Sequence, residues 1–436
     1  MNQHPVKRLA LSLLCSIAIC GTATALASSP PAPERVLEIV DALPLEGELE
    51  ATVDELKEAG VTPEYLRQVL VEGRTYQDVE PGTKRVEIED AYGRSTEVTV
   101  IVPRSYKPAK NASGVIMCLH GLGGEGDQVV DLYRSFAEDQ GMLLVCPTAQ
   151  PLPADRPHPD SQVMQQFPQL SSTHWWSYWS GNFPLTLLRH LSREYRLDRD
   201  RVVLSGYSMG GFGAWNIGMR FPDRFAAVLP MAGGISGLEY LGSEDRTMRS
   251  LMQNLVSIPV YFIHGDADAT VPVRFDQSSN QQLDSLGSRD HVYVQVPGGA
   301  HMLDIQPSGK LMRDACKWLS KKERESKVKQ FVHCALDPDH GSCRWISIDE
   351  ITGGMGKVQA RLKSSGKFEI VTEGVAELTV RVNESLAKMN RPVTVKLNGK
   401  TAFKGKVVPT LLDLLTTWRE SEDPALLYDA SISLRP

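Results

Sequence analysis

The sequence lacks any apolar run long enough to cross a membrane. A bilayer-spanning helix needs about 20 mostly apolar residues, whereas the longest run, residues 9–20, has 12. Two basic residues precede this run and Ala-Leu-Ala at 25–27 follows it, which is typical of a cleaved export signal. We therefore predict a signal peptide over residues 1–27, an exported (periplasmic or secreted) protein and no membrane span. Lipid anchoring of Cys20 is the competing interpretation, but Ile19 stands where a small residue is expected.

Cysteine is also sparse. The chain has 7 cysteines, and those beyond the signal are too few, and odd in number, for a disulfide framework. Cys334 and Cys343 flank a turn between two strand-like segments, so an exported protein could bridge them across a hairpin. His333 and His340 lie close to them and offer the alternative of a zinc site, but the spacing matches no usual zinc pattern. We predict no metal and leave the disulfide open.

The chain carries no excess of positive charge. It has 47 basic and 53 acidic residues, with a formal net charge of −6. A mildly acidic chain without a polybasic stretch is not typical of nucleic-acid binding. There is no repeat of fixed period and no low-complexity tract. A length of 436 residues suffices for two or three domains of about 150 residues.

Three sequence patterns follow one another along the chain. Residues 28–79 look helical. Residues 80–325 begin with a hairpin pattern and then alternate short apolar runs with helix-like segments, which predicts an α/β fold with a mostly parallel, doubly wound sheet. Residues 326–436 alternate apolar and polar positions and contain the hairpin-turn pair Asn398-Gly399, which predicts an antiparallel β-domain of accessory role. In such a parallel sheet, ligands bind at the carboxyl ends of the strands.

The segment GYSMG at residues 206–210 has the pattern of a nucleophile elbow. It follows an apolar strand-like run at 202–204 and precedes a helix-like run at 212–219. Glycines on both sides let neighbouring backbone pass close to a strained serine, where a Cβ would clash. The pentapeptide alone is weak evidence, because glycine and serine are common in turns. Between a strand and a helix, it predicts Ser208 as a nucleophile.

A serine nucleophile needs a histidine to accept its proton and a carboxylate to orient that histidine. On a strand-to-helix elbow, the acid and then the histidine follow the serine in the chain. Asp266 and Asp268 come after the apolar run IPVYFI, and His301 comes after HVYVQV. Each residue singly could be an ordinary turn or surface residue, but their joint order favours catalysis. The residues alone leave both aspartates open as the acid.

At this point the chain resembles the α/β-hydrolase superfamily, in particular its carboxylesterase, feruloyl-esterase and prolyl-oligopeptidase-like branches. The segment HGDADATVP at 264–272 is similar to the superfamily's H-G-x-x-D-x-x-V-P, whose aspartate is the triad acid. The resemblance therefore implies a Ser208, Asp268, His301 triad and disfavours Asp266.

The HGLGG segment that starts at His120 resembles the oxyanion loop of the same superfamily. The resemblance implies that the backbone N–H groups of Leu122 and Met209 form the oxyanion hole, so their side chains should matter little. His120 and His264 would then have structural roles.

The connection over residues 147–183 is unusually long for a compact domain, which indicates a functional or disordered segment. It contains an aromatic cluster around His174, Trp175 and Trp176, which argues against disorder. We predict that these three side chains form a substrate-binding wall over the site. Packing of the segment on the body of the domain is the alternative.

Together these features predict an exported serine esterase that needs no metal or cofactor and forms an acyl-enzyme. Its substrate would be a small-molecule or polysaccharide-linked ester. A serine peptidase of prolyl-oligopeptidase-like type is the enzymatic alternative, because that branch shares the resemblance. A carbohydrate- or surface-binding protein with the hydrolase domain as scaffold is the alternative from another class. The oligomeric state and the individual ester stay open.

Overall fold

The computed structural model describes residues 30–44, 47–89, 95–149, 175, 183–242, 244–303, 305 and 309–436. The predicted signal peptide lies outside these residues, as do residues 150–174 and 176–182 of the long aromatic connection. Among the described residues, no helix combines the length and the apolar character that a membrane crossing requires.

An eight-stranded mixed sheet forms the centre of the molecule, in the order β1-β2-β4-β3-β5-β6-β7-β8. Its strands are β1 (Gly82–Glu89), β2 (Ser95–Val102), β3 (Ser113–Leu119), β4 (Leu143–Pro147), β5 (Leu197–Tyr207), β6 (Ala227–Met231), β7 (Val260–Gly265) and β8 (His291–Val296). The hairpin β1–β2 is antiparallel, and β2 joins β4 antiparallel, while β4, β3, β5, β6, β7 and β8 are mutually parallel. The predicted α/β fold class is therefore confirmed.

Helices cover both faces of this sheet. The helices of the described residues are α1 (Pro33–Asp41), α2 (Glu50–Glu58), α3 (Pro63–Glu72), α4 (Val130–Gln140), α5 (Phe183–Glu194), α6 (Met209–Arg220), α7 (Arg246–Ser250), α8 (Arg274–Ser285), α9 (Lys310–Leu319) and α10 (Leu411–Ser421). Helices α5 and α6 pack on one face, and α4 and α9 pack on the other. Strand β3 serves both cores, because its successive side chains point to opposite faces.

The last part of the chain forms two smaller sheets, with the orders β10-β11-β14-β17 and β16-β15-β13-β12-β9. Their strands are β9 (Gln330–Ala335), β10 (Ser342–Cys343), β11 (Ile346–Ile351), β12 (Gly356–Ser364), β13 (Lys367–Glu373), β14 (Val375–Val382), β15 (Val393–Leu397), β16 (Lys400–Gly405) and β17 (Ala430–Leu434). Asn398 and Gly399 both have positive φ, 49° and 82°, and form the expected hairpin turn. One pair, β13 with β15, is parallel, which the antiparallel prediction missed.

Cys334 and Cys343 lie on strands of different sheets, and both are buried free thiols. His333 is bonded through Nε2 to the carbonyl of His340 at 2.9 Å. No group of three or more metal-ligating side chains occurs within the described parts of the chain. The residues considered for a bridge or a zinc site are therefore core residues of the second half of the molecule.

The C-terminal region joins the rest of the molecule through buried ion pairs. Arg324 donates through Nη1 to Asp423 Oδ2 and through Nη2 to Asp200 Oδ1, each at 2.7 Å. The backbone N–H of Arg344 donates to Asp223 Oδ2 at 2.5 Å. Burial alone would raise the pKa of Asp423, but its arginine partners, Arg324 foremost, bring it below the usual value. Without Asp423, Arg324 would keep only the partly exposed carboxylate of Asp200, and without Arg324, Asp423 would keep only Arg199, 4.0 Å away. Either change would leave a buried charge poorly compensated.

Asp423→Ala should lower the free energy of unfolding by about 3 kcal/mol, the lower end of the range for breaking a buried pair, because Arg324 would lose its buried carboxylate. It would keep only that of Asp200, whose side chain is 42% exposed. Urea denaturation measures this change. Asp314→Ala is the matched control: its pair with Lys310 is 2.6 Å long but exposed, with 50% and 83% of the two side chains accessible, so stability should hardly change. Equal losses in the two variants would contradict the structural role of the buried pair.

Candidate active site

Ser208 stands on a sharp turn between β5 and α6. Its backbone has φ 56° and ψ −118°, a conformation that side-chain-bearing residues rarely adopt. A Cβ on Gly206 would lie 2.0 Å from the carbonyl oxygen of Gly210, and a Cβ on Gly210 would lie 2.1 Å from that of Leu119. Both positions therefore require glycine, and the turn has the geometry of a nucleophile elbow.

A chain of three hydrogen-bonded side chains begins at Ser208. Its Oγ is 2.9 Å from His301 Nε2, and His301 Nδ1 is 2.7 Å from Asp268 Oδ2. Asp268 Oδ1 also accepts the backbone N–H groups of Thr270 and Val271, both at 2.8 Å. Because Nδ1 donates to the carboxylate, Nε2 keeps a lone pair directed at the serine hydroxyl. This arrangement can remove the proton from Ser208 as it attacks a carbonyl.

The register of the sheet explains why these residues meet. Gly265 at the end of β7 pairs with Val296 at the end of β8, so the loops carrying Asp268 and His301 leave the sheet at the same edge as Ser208. The side chain of Asp268 is fully buried, whereas that of His301 keeps 17% exposure.

Asp266, the other candidate acid, has a different environment. It is exposed, and its Oδ1 accepts the backbone N–H of Gly298 at 2.7 Å. This bond holds the turn between β8 and His301. The carboxylate in contact with the histidine is that of Asp268.

The two predicted oxyanion donors flank the elbow. Met209 is the first residue of α6, and helix geometry leaves the N–H groups of the first turn without a helical partner. On the other side, a Cβ added to Gly121 would lie 3.5 Å from the Cβ of Ser208, so the loop carrying Leu122 runs directly beside the serine. The positive end of the α6 dipole also favours negative charge at this point.

His120 braces this loop. Its Nε2 accepts the backbone N–H of Ala149 at 2.9 Å, so Nδ1 carries the hydrogen and donates to the carbonyl of Gly121 at 2.7 Å. Burial lowers the pKa of His120, which favours this neutral form. Its structural role follows directly from these bonds.

Trp175 requires a correction. The sequence placed it in a substrate-binding wall, but its side chain is 0% exposed and its Nε1 donates to the carbonyl of His120 at 3.0 Å. A Cβ on Gly213 would come within 2.3 Å of the Trp175 Cβ, which shows how tightly it packs on α6. The prediction is wrong for Trp175, because its indole is a core group that supports the loop beginning at His120. His174 and Trp176 lie outside the described residues.

Sequence reasoning missed Tyr207. Its hydroxyl donates to the carbonyl of His301, and the two rings have centroids 5.5 Å apart. The phenol therefore fixes the loop that carries His301. Its position next to the nucleophile was the only available signal, and that signal names no partner.

Comparison with known proteins identifies a family and one similar curated protein. The sequence profile of the Phospholipase/Carboxylesterase family matches residues 102–322. NocK of Nocardia uniformis subsp. tsuyamanensis, whose name classes it provisionally as an esterase, is 28% identical over 179 residues, which are 39% of this chain and 43% of that protein. The match thus spans less than half of that relative.

Two solved structures are also similar. A thermostable esterase has 21% identity and a TM-score of 0.43, over 56% of this chain and 63% of its own. The ferulic acid esterase AmCE1/Fae1A of Anaeromyces mucronatus has 18% identity and a TM-score of 0.43, over 57% of this chain and 94% of its own.

Asp268→Asn should reduce kcat by about 10³–10⁴-fold, because an amide at this position favours the wrong tautomer of His301. Asp266→Asn, the matched control, should retain most of the activity, since Asp266 only holds a turn. Steady-state kinetics with an activated ester compares the two. A larger loss in the Asp266 variant would reverse the assignment of the acid.

Proposed function

The chain belongs to the phospholipase/carboxylesterase family of α/β-hydrolases, and from this membership we propose that it is an exported serine esterase using Ser208, His301 and Asp268. Membership of this family identifies the protein as a serine hydrolase of the carboxylesterase type. The observation that supports these three residues as the catalytic triad is a continuous hydrogen-bonded path. Ser208 Oγ lies 2.9 Å from His301 Nε2, and His301 Nδ1 lies 2.7 Å from Asp268 Oδ2.

In the acylation step, Ser208 Oγ forms a bond to the ester carbonyl carbon while its proton moves to His301 Nε2. The carbonyl π electrons move onto oxygen, and the backbone N–H groups of Leu122 and Met209 bind that oxyanion. One such donor is worth roughly 3 kcal/mol of transition-state stabilisation. The tetrahedral intermediate then releases the alcohol, which takes the proton from His301, and leaves an acyl-enzyme.

Deacylation repeats these steps with water as the nucleophile. His301 takes a proton from water, the hydroxide oxygen bonds to the acyl carbon, and the acid product leaves as Ser208 recovers its proton. The carboxylate of Asp268 stabilises the imidazolium that forms twice in each cycle.

The substrate class in this proposal is a small-molecule or polysaccharide-linked carboxylic ester. Two large apolar side chains are exposed next to the reacting groups: Leu122 in the oxyanion loop, at 41%, and Met302 directly after His301, at 80%. Apolar side chains at these positions favour an apolar group on at least one side of the ester bond.

Ester cleavage is tested with a panel of acetyl, feruloyl and longer acyl esters alongside proline-containing peptides. The expected result is turnover of esters, with faster turnover of those carrying an apolar group, and Ser208→Ala should lower kcat by a factor on the order of 10⁶. A fluorophosphonate probe should label the natural protein and the control Ser285→Ala, which changes an exposed helical serine, but not Ser208→Ala. Cleavage of peptides alone would replace the esterase by a peptidase, and an unlabelled Ser208 would refute the mechanism.

Export rests on the charge and apolar pattern of residues 1–27. If the signal is cleaved after Ala27, the protein recovered from the periplasm or medium of an expressing bacterium should begin at Ser28. Amino-terminal sequencing gives this result directly, and a protein that keeps Met1 and stays in the cytoplasm would refute export.

A further inference from the structure

A second histidine contacts the carboxylate of Asp268. His264, near the carboxyl end of β7, is 0% exposed, and its Nε2 is 3.4 Å from Asp268 Oδ2. This is the same oxygen that His301 Nδ1 approaches to 2.7 Å. Asp268 therefore lies between two imidazole rings, and only one of them touches the serine.

Asp276 of α8 completes the arrangement. Its Oδ2 is 2.8 Å from His264 Nδ1, and its Oδ1 accepts the indole N–H of Trp215 at 3.0 Å. Asp276 and Trp215 are both 0% exposed. Trp215 lies on α6, the helix that begins beside Ser208, so this network returns to the element from which the nucleophile projects.

The hydrogen bonds of His264 define its protonation. Nε2 is 2.9 Å from the carbonyl oxygen of Val271, which can only accept, so Nε2 carries a hydrogen. Nδ1 faces the carboxyl of Asp276. Burial alone would lower the pKa of His264, but the hydrogen bond and charge of Asp276, with the charge of Asp268, raise it overall. Two carboxylates around one ring favour a ring with both nitrogens protonated.

We propose that His264 and Asp276 are positioning residues for the esterase reaction: they hold a protonated ring against Asp268 and thereby fix its charge and orientation toward His301. This inference rests on the proposed function. Through Val271 the ring also anchors the loop whose N–H groups bind Asp268. Its positive charge opposes the build-up of a second positive charge on His301, which keeps His301 able to accept a proton.

Few other groups can titrate against this ring. Arg249 faces Asp276 but is bonded to Glu239 at 2.9 Å. Burial raises the pKa of both Tyr240 and Tyr293, so these phenols stay neutral in the neutral range. Asp268 faces His264, while Arg249 and Tyr293 face Asp276. Farther from the pair, His301 and Tyr240 face Asp268, Arg274 faces Tyr240, and Asp266 faces Tyr293.

His264→Gln tests the proposal, because a glutamine amide can donate to Val271 but cannot carry a charge. The midpoint of the acidic limb of the kcat/KM profile with p-nitrophenyl acetate should move up by about one pH unit. Asp276→Asn should move the limb in the same direction, since the ring loses the carboxylate that holds its proton.

His333→Gln is the matched control. His333 is also fully buried and also bonded through Nε2 to a carbonyl, but it lies in the C-terminal sheets. This variant should lower Tm but should not change the midpoint of the acidic limb of the kcat/KM profile. Variants of His264 and Asp276 that lower Tm without moving the limb would show a purely structural role and would overturn the proposal.

A second readout does not depend on activity. Nitrogen-15 NMR of the natural protein at pH 7 should show a buried histidine with both ring nitrogens protonated, and that signal should be lost in His264→Gln. A neutral His264 overturns the inference even if the esters are cleaved. If no ester is cleaved and Ser208 is not labelled, the proposed function fails, while the NMR result still decides the state of His264.

Discussion

The strained backbone at Ser208 is the constraint on which the rest of the structure depends. A positive φ at a residue with a side chain costs on the order of 1–3 kcal/mol and persists only where the surroundings enforce it. Here close contacts between backbone segments hold this conformation. Gly206, Gly210 and Gly211 lie so close to neighbouring carbonyl groups that there is no room for a Cβ. Those carbonyls belong to the same helix turn and to the ends of β3 and β6, so the sheet itself holds the serine in place.

The C-terminal region is tied to the rest of the chain by similarly close contacts. Helix α10 shares a core with α1, α2 and α3, and Arg324 joins Asp423 to Asp200 across a buried interface. The aromatic side chains of Trp345 and Phe368 are buried in the core of this region. These contacts make the C-terminal region continuous with the core of the hydrolase.

The sequence predicted those features whose signal is local. The strand, glycine, serine and helix of the elbow stand within a few residues of one another, and the order of Ser208, Asp268 and His301 follows from chain topology. Trp175 was misassigned, because an indole on a long connection gives no sign of whether it faces a ligand or the core. The parallel pair β13–β15 was missed for a related reason, since alternation defines a strand but not its neighbour. Asp276 looks like an ordinary acidic residue in the first turn of α8.

Hydrogen bonds and ion pairs between residues distant in sequence also hold the active site together. The path Ser208, His301, Asp268, His264, Asp276 begins on the elbow and reaches Trp215, seven residues further along the chain on α6. Each buried polar group in it uses the next as its partner, and an unpaired one would cost about 1–3 kcal/mol or more. The network therefore couples the position of the nucleophile helix to that of the acid loop. A shift in the position of α8 would therefore change the position of His301 through His264 and Asp268, even if α8 does not contact the substrate.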